Sequence, residues 1–162
     1  MIWVAGLTGR PDSPSRAIYE AFLRGDLEVV VSSYIVREIE ETLIEDLNRP
    51  AIEVEAFISL LLARAHYVAV QHQVMGCEDP NDDPFLEAAV KGQATWIVTK
   101  DNRLLNLRPF VRQYFSRQHV RTIAPHKFFD MCASSRNQLA AILVYDSEND
   151  KTPDVAPKIR AK

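Results

Sequence analysis

Asp79-Pro80-Asn81-Asp82-Asp83-Pro84-Phe85-Leu86-Glu87-Ala88-Ala89, followed by Thr95-Trp96-Ile97-Val98 and then Thr99-Lys100-Asp101, decides how this chain folds. An acidic turn opens a helix, Gly92 ends it, a short apolar strand follows, and another acid stands just past the strand. Ala88 and Ala89 are small enough to let that helix lie close on a sheet, bringing its first turn near the strand ends.

The same alternation extends upstream. Ser13 and Pro14 start a helix through Ala17, Ile18, Ala21 and Phe22 that stops at Gly25. Leu27-Glu28-Val29-Val30-Val31 reads as a buried strand, and Ser32 or Ser33 caps a helix with Ile35, Val36, Ile39 and Leu43 on one face, ending near Asn48. Val54, Phe57, Ile58 and Leu61 mark a further helix, and 66–70 a second strand. Downstream, 120–123 is a fourth strand and 127–132 a short helix. Strands alternating with helices predict an α/β fold with a parallel sheet, in which sites form beyond the carboxyl ends of the strands. Residues 139–145 suit a strand or a short helix, and 146–162 is polar and expected to be mobile. One domain over 1–133 with a partly disordered extension over 134–162 is therefore expected.

The composition bounds the function. The chain has 162 residues, of which 47% are hydrophobic and 25% charged, enough to bury a core. No apolar run has the length of a membrane span, and no basic and apolar leader opens the chain. Cys77 and Cys132 lack metal-type spacing, and two reduced thiols in the cytoplasm are expected. A net charge of −3 argues against coating nucleic acid by bulk charge, but not against a nuclease whose cation and basic rim supply local positive potential.

Each acid has a plain alternative. Asn81, Asp82 and Asp83 suit a helix cap, and Pro84 makes Asp83 itself a candidate cap because a residue before proline avoids the helical region. Asp101-Asn102 suits an Asx-turn, and Glu38 stands beside Glu40 and Glu41 as on a solvated face. Taken together, acids at several strand ends and helix starts point to one cluster whose mutual repulsion a cation would relieve. Carboxylates favour Mg²⁺ or Mn²⁺; His66, His72, His119 and His126 show no zinc-ligand spacing.

The ordered motifs resemble the PIN-domain family, specifically the toxin components of bacterial and archaeal toxin–antitoxin systems. Residues 30–39 resemble its serine-started helix with a metal-binding Glu, here Glu38; 79–89 resemble its central acidic motif, with Asp83 at the metal position and Asp82 in support; 97–105 resemble its last motif, with Thr99 and Asp101 in functional places; 122–129 resemble its closing strand and helix. The resemblance implies an α/β/α sandwich and a Mg²⁺- or Mn²⁺-dependent endoribonuclease that hydrolyses RNA with metal-activated water. It also implies a cognate antitoxin and a homodimer. Lys100 and Arg103, beside the last acid, are candidate RNA contacts or ordinary surface charge.

One part of the pattern departs. The family opens with a central strand ending in Asp-Thr-Asn, whereas Ile2-Trp3-Val4-Ala5-Gly6-Leu7 matches the helix that follows that strand. The first central strand and its metal-binding Asp are thus expected to be missing. A start codon placed too late, a truncated and catalytically impaired remnant that binds RNA or an antitoxin, and replacement of the strand by 141–145 with Asp146 offered to the site are the competing readings.

Overall fold

The computed structural model describes residues 2–134 and 139–143. The chain opens with helix α1 (Ile2–Thr8) and helix α2 (Pro14–Arg24). Ser13 caps α2 by accepting from the Arg16 backbone N–H, Pro14 fills the first helical position, and Gly25 closes it at φ 81°, a left-handed conformation that glycine adopts without strain. Trp3 of α1 is fully buried, with ring centroids 4.9 Å from Phe22 and 6.2 Å from Phe57. Gly6 permits this docking: a β-carbon there would lie 2.5 Å from Tyr19 Cβ on α2.

Strand β1 (Leu27–Val31) is apolar at every position but Glu28 and leads into helix α3 (Ser33–Glu41). Ser32 is the cap, its hydroxyl accepting from the Ile35 N–H at 3.3 Å. The helix expected to reach Asn48 instead widens into a π-type turn over Thr42–Asp46. Helix α4 (Ala51–Arg64) buries Val54, Phe57 and Leu61, and strand β2 is only His66–Tyr67. The strand expected over 66–70 is shorter. Val68 N–H still donates to Val31 O, but the N–H groups of Gln71, Gln73 and Val74 turn to the Glu87 carboxylate.

A 3₁₀ turn (Pro80–Asp82) runs into helix α5 (Asp83–Lys91), followed by strand β3 (Trp96–Val98). Helix α6 (Asn102–Leu105) and helix α7 (Pro109–Arg117) come next; neither was expected, although Leu107, Val111 and Phe115 are buried at a spacing of four. Strand β4 (Arg121–Ile123), helix α8 (Pro125–Ser134) and strand β5 (Leu139–Leu143) complete the described chain.

The five strands form one sheet in the order β2-β1-β5-β3-β4, and every pairing is parallel. The α/β sandwich with a parallel sheet is as expected, with α2 packed on β1 and α5 on β1, β5 and β3. Of the readings of the absent first strand, replacement by a late run holds for the strand itself, over 139–143 in place of 141–145. β5 fills the middle of the sheet, pairing Val29 with Ala141 on one side and Val98 with Leu143 on the other. Part of the segment expected to be an extension is therefore the central strand. A strand at that place satisfies backbone groups on both neighbours that would otherwise be buried unpaired. The expectations about 144–162, mobility and Asp146 included, fall outside the described residues.

Proline at a central strand position removes a ladder donor on a side that has no solvent to replace it. Ala141→Pro is expected to lower the free energy of unfolding by roughly 3 kcal/mol or more. Urea denaturation followed by circular dichroism measures this; an unchanged midpoint would contradict the central placement of β5.

Candidate active site

All strands being parallel, their carboxyl ends share one edge of the sheet, and the chain places its acids there. Asp101 follows β3 and is 2% exposed. Thr99, fully buried, accepts the Asp101 backbone N–H on its hydroxyl at 2.9 Å, while its own N–H donates to Ile123 O at 3.0 Å. This hydroxyl turns the chain out of the strand and sets the direction of Asp101. The Asp101 carboxylate in turn accepts the Arg103 backbone N–H at 2.7 Å, capping α6. Capping and a place at the site edge are thus compatible.

The acidic turn before α5 divides its work. Asp79 caps the 3₁₀ turn by accepting from Asn81 N–H at 3.0 Å. Asp83 was a candidate cap, kept out of the helical region by Pro84; it instead has φ −57° and ψ −41° and is the first residue of α5. The reason is its carboxylate, which folds back to accept the N–H groups of Gly76 at 3.1 Å and Cys77 at 2.9 Å. Burial first, and then the hydrogen bond to Asp83, push the Cys77 thiol far above its ordinary pKa. Asp82, 7% exposed, acts electrostatically on Arg103 together with Asp79 and Asp101.

Arg103 joins these acids. Its guanidinium donates from Nη2 to Asp101 Oδ2 at 3.2 Å, from Nε to both Asp101 oxygens at 3.4 Å, and from Nη1 to Asp79 Oδ2 at 3.2 Å. The hydrogen bond to Asp101 dominates in raising the Arg103 pKa, against the opposing effect of burial. Lys100, by contrast, is exposed.

Glu38 stands one turn after Tyr34 on α3, so the two share a helix face. Burial raises the Tyr34 pKa first; Glu38, Asp82 and Asp79 add to it. The Tyr34 ring packs edge-on against Phe85 of α5, with centroids 5.4 Å apart. Burial also raises the Glu38 pKa, with Glu41 adding to it and Arg37 opposing it. The sequence reading missed Tyr34 and gave Asp79 no role, although the i, i+4 spacing to Glu38 and the opening of the acidic motif were both in view.

Carboxylate oxygens are the donors a hard divalent cation takes. Among the described residues, however, no three His, Cys, Asp or Glu side chains group to hold one. The described acids fit such a cation in kind but fall short in number.

A family model described as PIN domain matches residues 1–103, more than half of the chain. The chain belongs to the PIN-domain family. No curated protein and no solved structure matches it. The PIN domain is a nuclease-like fold, and its match covers α1 to the start of α6, including Glu38, Asp79, Asp82, Asp83, Thr99 and Asp101. Among the described residues, no helix is long and apolar enough to cross a membrane.

One more residue shapes this PIN domain. Glu87, fully buried on α5, accepts from Gln71 N–H at 2.8 Å, Gln73 N–H at 2.7 Å and Val74 N–H at 3.5 Å, and pairs with Lys91 Nζ at 2.8 Å. It pins the loop that continues to the Asp83-bound Gly76 and Cys77. An acid between Leu86 and Ala88 in a buried helix was the available signal. Burial acts to raise the Glu87 pKa, but the Lys91 and backbone hydrogen bonds win and lower it to about 2.

Because the folded pKa lies below the unfolded one, this carboxylate stabilises the fold fully above pH ~4.5 and loses its contribution as pH falls towards about 2. The loss should amount to roughly 3 kcal/mol. Thermal melts from pH 6 to pH 2 are expected to show this slope in the wild type and a flatter one in Glu87→Gln, which is already destabilised at pH 6. Parallel slopes would contradict the role of Glu87.

Proposed function

We propose that this PIN domain is a metal-dependent endoribonuclease, the toxin of a toxin–antitoxin pair. The observation that carries the reading is that Asp79 and Asp101 meet on Arg103 beyond the carboxyl ends of a parallel sheet, in a chain of the PIN-domain family. Such an edge repels phosphate unless a cation sits on it. A bound Mg²⁺ or Mn²⁺ would supply positive charge to the phosphodiester and lower the pKa of a coordinated water.

The protein's own parts have separate tasks in this reading. Asp101, aimed by Thr99, and Asp82 present carboxylate oxygens. Glu38 and Asp83 extend the set, Asp83 while also holding the 76–77 backbone. Lys100, exposed next to Asp101, takes a phosphate of the RNA, whereas the guanidinium of Arg103 is engaged by acids.

The sequence carries an acid, Asp146, after the end of β5. In this reading Asp146 supplies the acid that the family carries on its first strand. A cytoplasmic setting, a cognate antitoxin and a homodimer belong to the same reading and rest on the family resemblance alone.

A second reading is a catalytically impaired member that binds RNA or an antitoxin without cutting. It is favoured by the absence of a three-carboxylate group among the described residues. Cleavage of single-stranded RNA in the presence of Mn²⁺ separates the two. The nuclease reading expects cleavage that Asp101→Asn and Asp146→Asn each reduce by about 100-fold, on the scale of losing a charge-stabilising group. Melting temperatures should confirm that both variants fold. Retained RNA binding without cleavage by the wild type supports the second reading, and cleavage untouched by either substitution would refute the site assignment.

A further inference from the structure

Charge divides this chain along its length. Residues 1–90 carry sixteen Asp and Glu against six Lys and Arg, whereas residues 91–129 carry one acid, Asp101, against eight Lys and Arg. The net charge of −3 therefore hides a basic part. In the acidic part, Arg16, Arg24, Arg37 and Arg49 each pair with a nearby carboxylate. In the basic part, Lys91 and Arg103 are paired as well. Arg108, Arg112, Arg117 and Arg121 differ. All four are exposed, and among the described residues none pairs with a carboxylate.

These arginines surround helix α7. Of its described side chains, the helix buries Val111 and Phe115 and leaves the others exposed. Arg108 and Arg112 lie one turn apart, as do Tyr114 and Arg117. Like charges one turn apart weaken a helix, and α7 has no acid to offset them. Tyr114 is 39% exposed, with its ring edge-on to Phe115 and the centroids 5.4 Å apart. Arg121 follows the helix at the start of β4, its guanidinium over the Trp96 ring at 5.5 Å from the centroid.

The helix also has a direction. β3 ends at the carboxyl edge of the sheet and the parallel β4 starts at the other, so α7, which joins them, runs away from the acidic edge. Its first turns abut the loop that Asp83 holds: a β-carbon at Gly76 would stand 3.1 Å from Val111 Cγ2. The basic surface thus begins beside the acidic turn. Nine residues of helix span about 13 Å, the length of about four stacked nucleotides.

We propose that α7 and the start of β4 form a docking track for single-stranded RNA, with Arg108, Arg112, Arg117 and Arg121 on its phosphates and Tyr114 under one of its bases. The choice of RNA rests on the proposed function, but binding to the track needs no metal. An arginine fork takes two phosphate oxygens at once, and an exposed aromatic ring beside it accepts any base face. An acidic protein segment would satisfy the arginines but would bring no flat base to Tyr114.

Fluorescence anisotropy on the full chain tests this, with an end-labelled single-stranded RNA of about 12 nucleotides and EDTA present to prevent cleavage. Arg112→Gln/Arg117→Gln is expected to bind about tenfold more weakly, and its plot of log affinity against log salt should be flatter by about 1.4, the loss of two phosphate contacts on a single strand. Tyr114→Ala should also bind about tenfold more weakly but keep the wild-type slope, because stacking releases no counterions. Arg24→Gln/Arg49→Gln removes the same formal charge from paired positions elsewhere and should change affinity by less than about twofold. Arg112→Lys/Arg117→Lys keeps the charge and should hold the wild-type slope, which separates lost contacts from lost folding.

Equal weakening by the two glutamine pairs would reduce the effect to bulk charge and overturn the track. Absence of RNA binding by the wild type would overturn it too, and binding of a poly-glutamate peptide in its place would make an acidic protein the occupant. The expected pattern without any cleavage in Mn²⁺ upholds the track and counts against the nuclease reading. Cleavage whose KM is unmoved by Arg112→Gln/Arg117→Gln overturns the track and leaves the nuclease reading standing.

Discussion

The structure depends on a strand taken from late in the chain and set in the middle of the sheet. β5 pairs with β1 and with β3, so residue 27 meets residue 139 and residue 96 meets residue 141 in one ladder. Without it, β1 with β2 and β3 with β4 would be separate parallel pairs, each with an open edge. Parallel pairs of two or three residues have little independent stability. The α5 helix, which packs on all three inner strands, can seat only once β5 is in place. Closing so long a stretch of chain before the central contacts form favours slow, cooperative folding.

That arrangement also concentrates charge. Parallel strands end at a common edge, and helices α3 and α5 begin there, so Glu38, Asp79, Asp82, Asp83 and Asp101 are carried to one side of the molecule. The fold tolerates this through partners of graded strength. Asp83 is spent on the backbone of the 76–77 loop, Asp101 on the start of α6, and Asp79 and Asp101 together on Arg103. Glu87 receives three backbone donors and a lysine and becomes part of the framework. Burial alone therefore does not separate these acids: Asp101 and Glu87 are both buried, and they differ in their partners.

Much of this was legible. Ser13, Pro14 and Gly25 frame α2 as their chemistry dictates, Ser32 caps α3, and the short apolar runs at 27–31 and 96–98 are buried strands. Thr99 and Asp101 were recognised as a unit, and the hydroxyl is bonded to the Asp101 N–H. Readings failed where a distant group competed with local preference. Asp83 enters the helical region despite Pro84 because its carboxylate has partners at Gly76 and Cys77. Beyond β2, the 71–74 backbone turns to Glu87.

By itself, the sequence determined the alternation of strands and helices, the family, and the residue types available at the carboxyl edge, since these follow from local periodicity, capping and motif order. Only the tertiary structure decided that 139–143 is the central strand, because a short run such as 139–145 suits a strand or a helix until its neighbours are known. It also decided that Arg103 faces the acids rather than solvent. A long cationic side chain goes to whichever carboxylates the fold places within reach, and the nearness of Asp79 to Asp101 exists only once α5 and β3 are packed in one molecule.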